Sequence, residues 1–163
     1  MKEDAGEIKD LFESNSHLEK SDPTFGKYPF SEYEGLVAQD VTNNQECPGP
    51  KFYLRKISYE GAAIGYLQFE LDAPEKGQCW LPMLVLKPNN QSSGLGREAV
   101  SSLLEKISEL GNYVGIGLNV YSENPKALRF WYKNGFDKII GVDHETSNDK
   151  NYTCITLWRG IHA

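Results

Sequence analysis

The chain has 163 residues, a net charge of −6, and 25% charged residues. This length indicates one domain, and the composition is typical of a globular protein. The acidic charge argues against nucleic-acid binding, which needs a basic footprint, and weakly favours a cationic substrate. No apolar stretch approaches the roughly 20 residues that span a bilayer, and the acidic start "MKEDAGEIKD" is unlike a signal peptide. We therefore expect a cytoplasmic protein that binds neither nucleic acid nor membrane.

The residues that most often build metal sites and nucleophilic triads are few and scattered. The cysteines are odd in number, none forms a C-x-x-C pair, and the histidines stand apart: Cys47, Cys79, Cys154, His17, His144 and His162. Neither a disulfide framework nor a zinc ribbon is indicated, and no Ser-His-Asp or Cys-His-Asp pattern emerges. We expect reduced, buried thiols and no metal.

The first fifty residues have a helical pattern. A first helix is predicted over 3–20 from apolar residues at helical spacing: Ile8, Leu11, Phe12 and Leu18. Ser31 and Glu34 form a capping-box pattern, which predicts a second helix over 31–41. The sequence "CPGP" (47–50) then breaks the chain.

After this break the apolar period changes to two. Two strands are predicted over 51–61 and 62–72, joined as a hairpin around Glu60 and Gly61. The segment 78–88 is apolar at nearly every residue, as in a strand covered on both faces. Pro82 cannot donate to a ladder, so it predicts a bulge or a local loss of pairing on one side.

The second half alternates helices with strands. An apolar stripe predicts a helix that ends at Gly111 as its C-cap: Val100, Leu103, Leu104, Ile107 and Leu110. A strand over 113–121 follows, and Asn124-Pro125 begins a helix that ends near Gly135. The segments 136–142 and 151–158 predict a closing hairpin with a mobile polar loop over 143–150. Together these elements indicate an α/β domain with a mixed sheet.

A short glycine-containing stretch, "QSSGLG" (91–96, the glycine motif), lies between a predicted strand and a predicted helix. Glycines let backbone N–H groups turn inward, and a helix start adds unpaired N–H groups and a positive dipole end. Hydroxyls from Ser92 and Ser93 and the guanidinium of Arg97 are further donors for an anion. The motif lacks the lysine of a P-loop and the full dinucleotide fingerprint, and a loop that only turns a corner remains an alternative.

Two motifs in order resemble the GNAT superfamily, the GCN5-related N-acetyltransferases. The glycine motif resembles the family's Q/R-x-x-G-x-G/A sequence, and "LVLKP" (84–88) resembles the strand before it. Downstream, "NVYSENPKALRFWYKNGF" (119–136) resembles the family's N-x-x-A-x-x-[FL]-[YW]-x-x-x-G-F segment. The residues in register there are Asn124, Ala127, Phe130, Trp131, Gly135 and Phe136. The resemblance covers about residues 51–158.

The resemblance implies an α/β GNAT acyltransferase fold. Its sheet would be mixed but mostly antiparallel, with splayed central strands and flanking helices. We expect one domain over 1–163, with a helical acceptor-side region (1–50) and a coenzyme-binding core (51–158). The family usually has a strand before its first helix, and here either the sheet lacks that edge strand or the chain shown starts late.

By the same resemblance, acetyl-CoA is the expected co-substrate. Its pantetheine arm would pair with main-chain groups of the splayed strand at Leu84, Val85 and Leu86. Its pyrophosphate would lie on the N–H groups of Gln91, Ser92, Ser93, Gly94, Leu95, Gly96 and Arg97. Asn124 would contact acetyl-CoA, although helix capping alone also explains it. Lys133 would reach the coenzyme's phosphates.

The implied reaction is transfer of acetyl to the primary amine of a small molecule, by direct attack in a ternary complex. The alternatives are acetylation of a protein N-terminus or lysine, and a non-catalytic acyl-CoA-binding module. A monomer or a homodimer is expected.

The sequence offers two readings each for the proton donor and for the base. Trp131 stands where many family members have a tyrosine that acts as the general acid. Either the neighbouring Tyr132 or water therefore protonates the thiolate. Glu70 is the candidate base, with a solvated strand-end charge as its alternative reading.

Overall fold

The structure, a computed structural model, describes residues 2–43 and 49–161. Within these residues the α-helices are α1 (Lys2–Glu13), α2 (Phe30–Asn43), α3 (Leu95–Leu110) and α4 (Pro125–Lys133). The strands are β1 (Lys51–Tyr59), β2 (Ala62–Leu71), β3 (Gln78–Leu86), β4 (Gly115–Tyr121), β5 (Lys138–Ser147) and β6 (Lys150–Gly160). Short 3₁₀ helices cover Ser16–Lys20, Pro23–Phe25 and Pro88–Asn90. No helix in this part of the chain is both long and apolar enough to cross a membrane.

The strands form one mixed sheet in the order β1-β2-β3-β4-β6-β5. Every neighbouring pair is antiparallel except β3 and β4, which run parallel. The β1–β2 hairpin turns at Glu60 (φ 50°) and Gly61 (φ 80°), as the sequence predicts. Among the described residues β1 is an edge strand, and α1 is not preceded by a strand. This α/β architecture is the predicted one.

Helices cover both faces of the sheet. The α3 stripe packs on one face with Trp131 and Phe136, in a cluster that includes Ile116 and Leu118 of β4. The α1 stripe packs on the other face together with Tyr33 of α2, Tyr66 of β2 and Val85 of β3. Cys79 and Cys154 are buried, whereas Cys47 lies outside the described residues.

The N-terminal helices differ from the prediction at their ends. The first helix stops at Glu13 instead of continuing to residue 20, and Leu18 belongs to a 3₁₀ helix. Ser14 Oγ donates to the Leu11 carbonyl (2.6 Å), and the next side chain, Asn15, turns into the interior. Helix α2 begins at Phe30, so Ser31 lies inside its first turn and is not the N-cap that the capping-box pattern predicted.

The closing hairpin is longer than the prediction. Residues 143–150 were expected to form a mobile loop, but β5 and β6 pair as far as Ser147 and Lys150. The connection is a two-residue turn in which Asn148 (φ 50°) and Asp149 (φ 59°) are both left-handed. Asn and Asp tolerate this conformation, and it matches the twist of the paired strands. Polar composition was therefore a misleading signal for a loop in this segment.

Candidate active site

The two central parallel strands separate and leave a wedge between them. Pairing of β3 with β4 is limited to Gln78–Gly115, Cys79–Ile116 and Trp80–Gly117. Pro82 lies two residues after Trp80, and opposite it the β2–β3 register shifts between Gln68 and Glu70. The sequence predicted a bulge or a loss of pairing on one side, and the structure has a bulge toward β2 and a loss of pairing toward β4.

Main-chain groups of β3 face this wedge. Lys87 N–H donates to the Ile64 carbonyl (2.8 Å), which fixes the antiparallel hydrogen-bond alternation between β2 and β3. By this alternation Val85 exchanges hydrogen bonds with Tyr66 of β2, whereas Leu84 and Leu86 direct their N–H and C=O groups away from β2. Leu84 and Leu86 therefore offer an open strand edge inside the molecule, while the backbone of Val85 does not.

The glycine motif forms the corner at the open end of the wedge. Ser92 (φ 60°) and Gly94 (φ 89°) are left-handed, and Gly94 is the N-cap of α3. Only glycine adopts the Gly94 conformation without strain. The first intrahelical hydrogen bond of α3 runs from Glu98 N–H to the Gly94 carbonyl, so preceding N–H groups at the helix start have no acceptor within the helix. The positive end of α3 therefore points at the mouth of the wedge.

At position 96, glycine is explained by close packing and not by backbone conformation. A Cβ built on it lies 3.1 Å and 3.2 Å from the ring of Phe130 and 3.3 Å from a methyl of Leu86. This residue is buried, and its missing side chain lets α3 approach α4 and β3. Close packing therefore accounts for Gly96 and backbone conformation for Gly94, while contact of both residues with the coenzyme stays a prediction.

A buried amide network joins the motif to the N-terminal region. Gln91 Nε2 donates to Asn15 Oδ1 (2.8 Å) and to the Leu86 carbonyl (2.9 Å), which also accepts from Asn15 Nδ2 (2.9 Å). Lys126 Nζ of α4 donates to Gln91 Oε1 (3.2 Å). The Gln91 side chain therefore holds the corner together instead of projecting freely toward a ligand. The Leu86 carbonyl is likewise occupied, although its N–H is not part of this network.

Helix α4 forms the opposite wall. Asn124 Oδ1 accepts from Ala127 N–H (3.2 Å), and Pro125 occupies the first helical turn, so the predicted cap is confirmed. Asn124 is buried and lines the cleft, and its side chain has an amide nitrogen besides the oxygen that caps the helix. Lys126 and Lys133 are exposed cations on the side of α4 that faces the wedge.

Together these elements enclose a cleft of about 810 Å³, which passes between β3 and β4. Most of the residues predicted for coenzyme binding line it: Leu84, Val85, Leu86, Gln91, Ser92, Gly94, Gly96, Arg97, Asn124 and Lys133. Ser93 and Leu95 do not, and Ser93 Oγ donates to the Asn90 carbonyl (2.8 Å). Across the described residues, no group of three or more His, Cys, Asp and Glu side chains could hold a metal ion.

The two aromatic residues on α4 have opposite environments. Trp131 is 9% exposed, lines the cleft, and packs its edge against Phe130 and Phe136. Tyr132 is 64% exposed and does not line the cleft, because one residue along a helix rotates the side chain by about 100°. The structure therefore does not bring Tyr132 to the site, which argues against its predicted role as an acid.

Glu70 is also displaced from the site. It lies opposite Trp80 in the β2–β3 ladder, beside the register shift, and does not line the cleft. Burial raises the pKa of its carboxyl group, which is the perturbation expected for it. Trp80, not Glu70, faces the cleft, so the position does not support Glu70 as the base.

Several cleft residues come from the segment between α1 and α2 (14–29, the connecting segment), which the sequence did not single out. Asn15, His17, Asp22 and Thr24 line the cleft, as does Tyr121 of β4. One signal was available: Asp22-Pro23 repeats the cap pattern of Asn124-Pro125, and Asp22 is the N-cap of a 3₁₀ helix. That signal predicts a turn but does not predict which residues the turn faces.

The sequence of this chain matches a known protein family. The model of the acetyltransferase (GNAT) family matches residues 13–136. The spermine/spermidine N(1)-acetyltransferase of Bacillus subtilis (strain 168) is 29% identical over 85 residues, which are 49% of this chain and 56% of that protein. The chain thus spans about half the length of the curated relatives it matches.

Two solved structures illustrate the fold. YncA from Salmonella typhimurium, solved with its cofactor acetyl-CoA, has a TM-score of 0.73 at 13% identity, over 99% of this chain and 90% of that one. The ribosomal-protein-alanine N-acetyltransferase of Brucella melitensis has a TM-score of 0.75 at 12% identity, over 98% and 96%. With most of its length matched by the family model, this chain belongs to the GNAT acetyltransferase family.

Proposed function

We propose that this protein transfers the acetyl group of acetyl-CoA to the primary amine of a small molecule, by direct attack in a ternary complex. The observation that carries this proposal is the wedge between β3 and β4, which opens onto the glycine motif and the start of α3. A wedge with an unpaired strand edge on one side and a helix N-terminus at its mouth suits a ligand with amides at one end and phosphate at the other.

The pantetheine arm would add to β3 as a short strand. Its amides would pair with main-chain groups of Leu84 and with the N–H of Leu86, because the Leu86 carbonyl already accepts from Asn15 and Gln91. The pyrophosphate would lie on N–H groups at the start of α3, near the exposed side chains of Arg97, Lys126 and Lys133. Acetyl-CoA bound to YncA, a protein of similar fold, supports this choice of coenzyme.

The acetyl group would then lie where β3 and β4 diverge. The amine nitrogen attacks the carbonyl carbon, and a main-chain N–H of β3 near that point would stabilise the developing oxyanion. The C–S bond breaks, and the sulfur leaves as a thiolate. With Tyr132 outside the cleft and Trp131 unable to act as an acid at useful pH, water would supply the proton to sulfur.

A small amine is the acceptor that we favour. The Bacillus subtilis relative acts on spermine and spermidine by its name, and the matched portion covers about half of each chain. The size of the acceptor is limited, because it must enter a cleft of about 810 Å³ that also holds the coenzyme. A protein N-terminus is the second candidate, because the Brucella melitensis enzyme of similar fold is named for a ribosomal-protein alanine.

The test is release of free thiol from acetyl-CoA in the presence of an acceptor panel. The panel contains spermidine, simple monoamines, a peptide with a free N-terminal alanine, and the same peptide blocked at its N-terminus but carrying lysine. We expect thiol release above background with at least one small amine and none with the peptides. Release with the free peptide alone would shift the assignment to protein acetylation. Binding of acetyl-CoA without turnover of any acceptor would indicate a non-catalytic module and contradict the proposal.

A further inference from the structure

We propose that Asp22 is the general base of this site: its carboxylate takes a proton from the acceptor ammonium group before the nitrogen attacks the acetyl carbon. This inference rests on the proposed function and names the group that makes the acceptor nucleophilic. It assigns a catalytic role to the connecting segment, which otherwise only lines the cleft.

The charged residues that line the cleft belong to different elements. The cations Arg97, Lys126 and Lys133 lie on α3 and α4. Asp22 belongs to the connecting segment, and among the described residues it is the one carboxylate that lines the cleft. A polyanionic coenzyme would be drawn to the cations, and a cationic acceptor to Asp22.

The Asp22 side chain is held on a rigid support. Its Oδ1 accepts from Thr24 N–H (2.9 Å), and Pro23 fixes the first position of the 3₁₀ helix that Asp22 caps. The same helix is anchored by Phe25, whose buried ring stacks on Phe12 with centroids 5.2 Å apart. The Thr24 side chain also hydrogen-bonds this carboxylate, whose two oxygens have about four lone-pair sites, so sites remain to accept a proton.

The surroundings of Asp22 suit a base. Burial raises the pKa of its carboxyl group, and the charge of Glu145 on β5 raises this pKa further, against the hydrogen bond from Thr24. The other ionisable groups that face it are Tyr28, Tyr121 of β4 and Cys154 of β6, and all three have raised pKa values, so they stay neutral near pH 7. Tyr121 Oη also donates to Glu145 (2.7 Å). His17 is a further titratable side chain that lines the cleft.

The chemistry requires such a group. An alkyl ammonium with a pKa of about 10.4 is neutral in only about one molecule in 2,500 at pH 7. In the proposed step one N–H proton passes to the Asp22 carboxylate, and the freed lone pair forms the N–C bond. As the C–S bond breaks, its electron pair leaves on sulfur. The second N–H proton is lost from the acetylated nitrogen to water, water protonates the thiolate, and Asp22 returns its proton to solvent.

The experiment compares the wild type with three variants of the full chain, Asp22→Asn, His17→Gln and Glu19→Gln, at saturating acetyl-CoA, with the best small amine from the acceptor panel. Asp22→Asn keeps an oxygen for Thr24 N–H but cannot accept a proton. Glu19→Gln is the matched control, an acid of the same segment that does not line the cleft. The readouts are kcat/KM against pH, acetyl-CoA affinity by calorimetry, and Tm.

We expect Asp22→Asn to lower kcat/KM at least 100-fold and to remove the ascending limb of the pH profile, as is typical of losing an acid or base. Acetyl-CoA affinity should stay within twofold, and Tm at pH 7 should not fall. If Asp22→Asn keeps kcat/KM within threefold, or if His17→Gln removes the limb instead, Asp22 is not the base while the acetyltransferase assignment stands. If the wild type binds acetyl-CoA but acetylates no acceptor, the proposed function fails, and the assignment of a base fails with it.

Discussion

Gln91 Nε2 donates a hydrogen bond of 2.8 Å to Asn15 Oδ1, and both side chains donate to the same Leu86 carbonyl. Asn15 is 1% exposed and belongs to the N-terminal region, whereas Gln91 opens the glycine motif. The N-terminal region and the glycine motif are therefore joined by one hydrogen-bond network. Gln91 belongs to the motif that predicts coenzyme contacts, but its side chain hydrogen-bonds other parts of the protein.

The first prediction concerns this network. Asn15→Leu and Gln91→Leu should each lower the free energy of unfolding by about 1–3 kcal/mol, because each leaves buried polar groups without a partner. The double variant should lose less than the sum, since the second change removes a group that the first has already orphaned. Chemical denaturation of the four proteins in this cycle measures the difference. Strict additivity would show that the two side chains act independently.

The second prediction tests where the coenzyme's phosphates lie. Lys133→Glu should weaken acetyl-CoA binding at least tenfold, about 1.4 kcal/mol, because it reverses a charge at the cleft mouth. Arg129→Glu is the matched control: it is an exposed cation on the same helix and does not line the cleft. We expect its affinity to stay within about twofold of the wild type at moderate salt, where charges beyond a Debye length are screened. Calorimetry that gave equal losses for both would indicate general charge steering without a phosphate site.

The third prediction separates packing from chain conformation. Gly96→Ala should lower the free energy of unfolding by about 1–3 kcal/mol, because its Cβ meets Phe130 and Leu86 at 3.1–3.3 Å. Gly35→Ala, in α2 with open space around the new methyl group, should raise it by about 0.5–1 kcal/mol. Thermal and urea unfolding measure both. A Gly96→Ala protein as stable as the wild type would mean that α3 and α4 tolerate greater separation than the packing suggests.

The fourth prediction concerns proton transfer to sulfur. Trp131→Phe should change kcat only a few-fold, since an indole is not an acid at useful pH, whereas losing a catalytic acid typically costs 10²–10⁴. Tyr132→Phe should leave kcat within about twofold, because this hydroxyl is outside the cleft. Steady-state kinetics with the best acceptor provide the test. A loss above 100-fold in Tyr132→Phe, with coenzyme binding intact, would show that α4 rotates when the ligands bind.

Local signals predicted much of the fold. The Glu60-Gly61 turn, the Gly111 cap of α3 and the Asn124-Pro125 start of α4 depend on neighbouring residues alone, and the structure has all three. The Asn148-Asp149 turn carried the same kind of signal, but the polar residues around it obscured the strands. Helix ends were less predictable, because α1 ends where Asn15 meets residues about 70 positions away.

The acceptor end of the site could not be predicted from the sequence. Asp22 and Asn15 belong to a polar segment without periodicity, and their importance comes from facing β3 and β4, which is a tertiary relationship. Glu70 lies outside the cleft for a similar reason: strand alternation put it on a plausible face, but alternation does not tell whether the cleft extends that far. Motif spacing carries more information, and it led to most of the residues that line the coenzyme end of the cleft.

Product analysis by mass spectrometry tests the central claim most directly. The purified protein is incubated with acetyl-CoA and each small amine of the panel, and the products are compared with a reaction that contains the Asp22→Asn variant. The account predicts that at least one amine gains a single acetyl group, in equal amount to the coenzyme A released, and that the variant forms this product at least 100-fold more slowly. Coenzyme A release without any acetylated amine, or no turnover by a protein that binds acetyl-CoA, would contradict it.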